Sequence, residues 1–159
     1  MAGPLSHINV LDLSRVLAAP WAGQNRADLG AQVIKVERTG AVDDSRAFGP
    51  PWLKDPQGAD TKESAYFAAA NRGKKSITVN LSRPEGQELV RKLAAEVDVL
   101  LENYKFGDLA RYGLGYEDLR KINPGLIYCS VTGFGQWRTS VSSNPAKASP
   151  FAAMCRPLL

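Results

Sequence analysis

Side chains that commonly carry catalysis or metals are scarce in this chain: its 159 residues include one histidine, His7, and two cysteines, Cys129 and Cys155. A single imidazole, placed ahead of the first apolar run, argues against a Ser-His-Asp triad and against a histidine metal cluster. Two widely separated thiols supply neither a disulfide framework nor a zinc site. There is no run of eighteen apolar residues and no signal-peptide start, so a soluble, cytoplasmic protein without membrane contact is expected. The dinucleotide fingerprint GxGxxG is missing as well.

Net charge is also small. Twenty basic residues face sixteen acidic ones, a formal charge of +4. Three of the basic residues, Arg138, Lys147 and Arg156, follow Gln136, where no aspartate or glutamate occurs. The body of the chain is therefore nearly neutral, which argues against a nucleic-acid footprint. The length suits one domain with a proper core.

What is present is a strand–helix–strand unit from Ile8 to Arg38. Ile8, Val10, Leu11 and Leu13 form an apolar run broken by Asp12; Val33, Ile34 and Val36 form a second, β-branched one. Between them Pro20 sits where a first helical turn tolerates a missing N–H, and Gly30 where a helix stop is expected. A crossover of this length predicts two parallel strands with a helix packed on the sheet.

Residues 39–63, punctuated by Gly40, Gly49, Pro50, Pro51, Pro56 and Gly58, read as a long loop. A short helix is expected over Lys62 to Ala70, then a turn that exposes Lys74 and Lys75. Ser76 to Leu81 alternates as a strand, Ser82 caps a helix to about Ala95, and Val97 to Glu102 is a buried strand. Short helices are expected near Gly107 to Tyr112 and over Tyr116 to Ile122, before a last apolar strand from Leu126 to Val131. Five strands separated by helices predict an α/β fold, a Rossmann-like, mostly parallel sheet flanked by helices. Ligands of such sheets bind beyond the carboxyl ends of the strands. Trp137 to Leu159 has no clear period. It reads either as a loop and closing strand or, the reading we favour, as a divergent tail foreign to the fold, such as a shifted reading frame would write.

Five long stretches carry a resemblance. LDLSRVLAAPWAGQNRADLGAQVIKVER, DDSRAFGPPW, ESAYFAAANRGKKSITVNL, PEGQELVRKLAAEVDVLLENYK and YGLGYEDLRKINPGLIYCSVTGFGQ, in that order between Leu5 and Gln136, resemble the class III CoA-transferases. The nearer resemblance is to the succinyl-CoA-dependent dicarboxylate branch, including the hydroxymethylglutarate-type enzymes. It implies that residues 1–136 are the N-terminal part of an incomplete large domain, from longer proteins that form interlocked homodimers.

The activity implied is transfer of CoA from an acyl-CoA, such as succinyl-CoA, to a small carboxylic acid through an aspartyl covalent intermediate. CoA and acyl-CoA are substrates, and neither a prosthetic group nor a metal is implied. The family's aspartate lies downstream of the GFGQ motif, Gly133 to Gln136, where this chain has no acid. No catalytic residue is therefore assigned, Asp12, Asp43 and Asp44 match other motif positions, and the isolated chain is expected to be inactive. The alternative is a CoA-binding remnant without catalysis.

By resemblance, Leu17 and Ala18 lie beside the pantetheine path and Arg38 faces the adenosine-phosphate end. Val79, Asn80, Leu81 and Ser82 line the adenine pocket, Asn103, Tyr104 and Lys105 match another lining segment, and Arg111 helps hold a phosphate. Guanidinium and ammonium groups suit the pyrophosphate and 3′-phosphate of CoA. Without the resemblance, Arg15 and Arg38 read as solvated charges at strand ends, and Tyr104 as a core or rim aromatic as readily as an adenine platform.

Overall fold

A computed structural model describes residues 2–132, together with the backbone of the strand 152–156. The elements run β1 (Asn9–Asp12), α1 (Ala18–Asp28), β2 (Gln32–Glu37), the 3-10 turn η1 (Asp44–Ala47), β3 (Trp52–Lys54), β4 (Asp60–Ser64), α2 (Ala65–Asn71) and β5 (Lys75–Thr78). They continue with α3 (Pro84–Glu96), β6 (Val99–Glu102), the 3-10 turn η2 (Ala110–Tyr112), α4 (Tyr116–Ile122), β7 (Ile127–Thr132) and β8 (Ala152–Arg156). The main sheet has the order β5-β2-β1-β6-β7-β8. All its pairs are parallel except β7 with β8. Apart from β8, the expected tail and the glycines Gly133 and Gly135 lie outside the described residues. No helix among the described residues is long and apolar enough to cross a membrane.

The five expected strands form the parallel part: β1, β2, β6 and β7 are apolar runs that the sheet largely buries on both faces, while β5, at the edge, is mostly exposed. Leu11 and Leu100 point into one core with Val36, Val79, Val90, Leu114, Leu119 and Leu126. Their neighbours Val10, Val99 and Leu101 point into the other, with Val33 and Cys129. Gly30 stops α1 as expected, with φ +99°.

Four local expectations change. Within residues 39–63 lie η1 and the antiparallel hairpin β3–β4. Because β4 takes residues 60–64, the next helix starts at Ala65, where the Ser64 hydroxyl accepts from the Phe67 N–H at 3.2 Å. The cap of α3 falls on Arg83 rather than Ser82, with Pro84 at the helix start. Lys74 is buried, not exposed: its Nζ donates to Asp12 Oδ2 at 2.7 Å, to the Pro20 carbonyl at 2.7 Å and to Asn71 Oδ1 at 2.9 Å. The reason is Asp12, a carboxylate inside β1 that folds the lysine stem inward. Lys75 is exposed, donating to Gln32 Oε1 at 3.2 Å.

A second buried cluster sits under the end of β2. Lys35 Nζ meets Asp43 Oδ2 at 2.8 Å and the Ser14 carbonyl at 2.8 Å. Glu37 takes a two-pronged contact from Arg46 (Nε 2.8 Å, Nη2 2.7 Å), the Ser76 hydroxyl at 2.6 Å and the Asp43 N–H at 3.0 Å. Burial pushes the Glu37 carboxyl up, but the hydrogen bonds from Arg46, Ser76 and Asp43 and the Arg46 charge outweigh it, so its pKa is lowered to about 2.

A Cβ at Gly86, in the first turn of α3, would stand 2.1 Å from the Asn80 carbonyl oxygen. Alanine is the better helix former by about 0.5–1 kcal/mol, so a gain in stability is the outcome that would refute the clash. Gly86→Ala is expected instead to cost about 1–3 kcal/mol, read as a lower urea midpoint. For Glu37, a folded pKa of about 2 lies below the ordinary 4.5. The stabilisation is present above 4.5 and is lost as pH falls towards 2, roughly 3 kcal/mol in all. Urea titrations between these pH values should show Glu37→Gln to be less stable than the parent near neutrality, with a flatter acid limb.

Candidate functional site

The strand order reverses direction at β1, whose neighbours β2 and β6 lead the chain opposite ways across the sheet. A crevice opens at such a switch point, outside the carboxyl ends of the strands. The turn after β1 is pinned there on two sides. The Arg15 N–H donates to Asn103 Oδ1 at 2.8 Å, and Asn103 Nδ2 donates back to the Arg15 carbonyl at 2.8 Å. Val16 adopts φ +68°, a region that β-branched side chains rarely enter. Its N–H lies 3.3 Å from both carboxylate oxygens of Asp43. Burial raises the Asp43 pKa, but Lys35 and the Ser45 hydroxyl and N–H outweigh it, so the carboxyl stays below its ordinary value.

Beside this turn is a cavity of about 200 Å³ lined by Arg38, Val79, Asn80, Leu81, Ser82, Tyr104 and Tyr112, with Val36, Glu37, Thr39 and Ala41. Arg38 comes from the end of β2, Val79 to Ser82 from the end of β5, and Tyr104 from the end of β6. Val79 is buried, Leu81 and Tyr104 are half-buried, and Asn80 and Ser82 are exposed. Burial raises the Tyr104 pKa, against the opposing positive charges of Arg15 and Arg38. Below it, Glu102 Oε2 accepts from the Tyr104 N–H at 2.7 Å. Burial pushes that carboxyl above its ordinary pKa, only partly offset by hydrogen bonds from Ser130 and Tyr104.

The other expected site residues do not line this cavity. Leu17 and Ala18 are exposed at the start of α1. Asn103 commits its amide to Arg15. Lys105 is exposed, and Arg111 projects from η2, paired with Asp108 at 2.6 Å. Two wider depressions, of about 620 and 860 Å³, flank the β3–β4 hairpin and share Arg46 and Lys62. Arg46 is already committed there: it grips Glu37 and stacks 3.7 Å from the Phe67 ring centroid. The strand-end cavity, not these larger ones, combines guanidinium, aromatic and main-chain groups at the switch point.

Several residues that shape the site are weakly signalled in the sequence. Arg15 lies with its Cζ 5.3 Å from the Tyr104 ring centroid and its Nη1 3.6 Å from Asp44 Oδ2, while Arg38 Nη2 meets Asp44 Oδ1 at 2.9 Å. Lys35 and Glu37 are buried at the end of β2, and only Glu37 reaches the cavity wall. Their one available signal is a charge inside a β-branched strand, QVIKVE, which a parallel sheet buries only if the charge is paired. Chemically, the crevice can hold an anion against two guanidinium groups and an aromatic face. Among the described residues there is no group of three or more His, Cys, Asp and Glu side chains able to hold a metal.

The sequence model of CoA-transferase family III matches residues 5–154. Succinate–glutarate CoA-transferase of Agrobacterium fabrum is 56% identical over 133 residues, covering 84% of this chain and 33% of that protein. Succinyl-CoA:glutarate CoA-transferase of Homo sapiens is 52% identical over 133 residues, covering 84% and 29%. The crystal structure of a CAIB/BAIF family protein from Brucella suis has a TM-score of 0.77 at 53% identity, over 85% of this chain and 35% of that one. The chain thus spans about a third of the length of the curated relatives it matches. With the parallel sheet, the motif order and the family match in agreement, this chain belongs to CoA-transferase family III.

Proposed function

We propose that this chain supplies the coenzyme-holding side of an enzyme that moves CoA from succinyl-CoA to a dicarboxylic acid of the glutarate type. The observation that carries this reading is the strand-end cavity, where Arg38, Val79 to Ser82 and Tyr104 converge, in a chain 56% identical to a succinate–glutarate CoA-transferase. Arg38 would meet a phosphate through charge-assisted hydrogen bonds, and Tyr104 would pack against the nucleotide. Lys105 and Arg111, both exposed in the β6–α4 connection, would add a basic rim. Leu17 and Ala18 would border the pantetheine arm.

In the proposed reaction a carboxylate attacks the thioester carbonyl, forming an acyl anhydride and releasing CoA as thiolate. The thiolate then attacks the carboxylate-derived carbonyl of that anhydride, freeing the donor acid and leaving an enzyme-bound thioester. Running the same two steps backwards with the acceptor acid yields the new acyl-CoA. No aspartate or glutamate follows Gln136 in this chain. Asp12 and Asp43, engaged by Lys74 and Lys35 at 2.7 and 2.8 Å, are poor nucleophile candidates. We infer that the chain by itself binds the coenzyme without turning it over, and that interlocked dimers belong to longer relatives.

Calorimetric titration of the 159-residue chain with CoA should show saturable binding, weakened about tenfold or more in Arg38→Ala, the cost of a charged hydrogen bond. Absence of binding at millimolar CoA would overturn the reading. Incubation with succinyl-CoA and glutarate should yield no glutaryl-CoA by mass spectrometry. Its appearance would mean that the chain holds a nucleophile of its own.

A further inference from the structure

Arg15 and Asp44 touch two residues of the cavity wall, Tyr104 and Arg38 respectively, and the coenzyme reading leaves both unused. Arg15 has a fixed backbone, locked to Asn103 in both directions at 2.8 Å. Its guanidinium is poorly satisfied. Nε is buried and has no hydrogen-bond partner, and the nearest carboxylate oxygen, on Asp44, is 3.6 Å from Nη1. An orphaned buried guanidinium N–H costs free energy until an acceptor arrives. Arg38 shares the same carboxylate, at 2.9 Å. Two cations thus converge on a single half-exposed anion, with the Tyr104 ring beneath Arg15.

We propose that Arg15 and Arg38 are the two jaws of a phosphate clamp, and that Asp44 is its resident stand-in, expelled when a phosphate group of the ligand enters. This rests on the coenzyme reading and goes beyond it, because it makes Asp44 a competitor rather than a binding residue. The charges fit a phosphate better than a carboxylate. One unit of negative charge leaves the pair of guanidiniums with an excess of +1, which a phosphate dianion removes. Phosphate also offers three acceptor oxygens, enough to serve two forks and a side-on N–H. Displacement costs little, since Asp44 is about half-exposed and its recorded ties are to these two arginines. Its neighbour Asp43, not Asp44, holds the start of η1 by accepting from Ser45. The internal anion thereby sets a threshold: a weakly charged ligand does not displace it, and a phosphate does.

The test is the sign of the effect of Asp44→Asn on binding to the whole chain. With CoA and with inorganic pyrophosphate as probes, Asp44→Asn should bind about two- to fivefold more tightly than the parent, the fold-change that an exposed ion pair commands. Arg15→Gln should bind about tenfold more weakly, and in the double variant the gain from Asp44→Asn should shrink. Weaker binding by Asp44→Asn would show that the carboxylate positions the arginines for the ligand and would overturn the proposal, as would no change with either probe. Dephospho-CoA separates the two phosphate sources. A gain that vanishes with it assigns the clamp to the 3′-phosphate; a gain that persists assigns it to the pyrophosphate. If CoA does not bind the parent while pyrophosphate does, and more tightly to Asp44→Asn, the coenzyme reading fails and the clamp stands.

Discussion

The carboxyl ends of the central strands are held by charges that have been taken out of water. Lys74 with Asp12 and Lys35 with Asp43 are each about 99% buried or more. Burying such pairs is expensive, and their mutual attraction offsets that cost only when further hydrogen bonds satisfy the remaining polar atoms. Those bonds are present: Lys74 also reaches Pro20 and Asn71, Lys35 reaches Ser14, and Asp43 takes the Ser45 hydroxyl and N–H. Losing one partner would leave an uncompensated buried charge, a loss of about 3–5 kcal/mol. The two pairs connect β1, β2, α1, the turn before β5 and the segment containing η1. The elements that converge on the crevice are therefore fastened to each other and not only stacked.

This fastening explains how an irregular turn keeps one shape. The left-handed Val16 would relax to an ordinary backbone conformation if nothing held it, and the carboxylate that receives its N–H is the one held by Lys35. Strain at a ligand-facing turn persists when its surroundings over-determine it. Here the surroundings are an ion pair on one side and the Asn103 amide bridge on the other. The sheet supplies direction, and the buried polar groups supply position.

Much of the architecture is legible in the sequence because parallel strands buried on both faces must be apolar runs. VLDL, QVIKVE, VLLE and IYCSV each announce themselves that way, and Gly30 marks the end of α1 where the structure has it. The hairpin β3–β4 is not legible, since Trp52 to Lys54 and Asp60 to Ser64 are short, mostly exposed and rich in charge. Lys74 reads as a surface turn because its partner, Asp12, is distant in sequence. Of the candidate site, Arg38, Val79 to Ser82 and Tyr104 do converge, whereas the part played by Arg15 depends on a neighbour, Asp44, that no local pattern links to it. Spacing finds elements; pairings across the fold need three dimensions.

Gly23 lies so close to the lower ion pair that a Cβ there would stand 2.9 Å from Asp12 Oδ2 and 3.2 Å from Lys74 Nζ. Where a methyl group does not fit, neither does a mobile counterion. Dissolved salt screens solvent-exposed charges, with a Debye length of roughly 8 Å at physiological ionic strength, and screens buried pairs much less. The protein therefore carries two kinds of electrostatics side by side: a buried foundation that salt weakens little, and a solvent-facing rim of Arg15, Arg38 and Asp44 that loosens as salt rises.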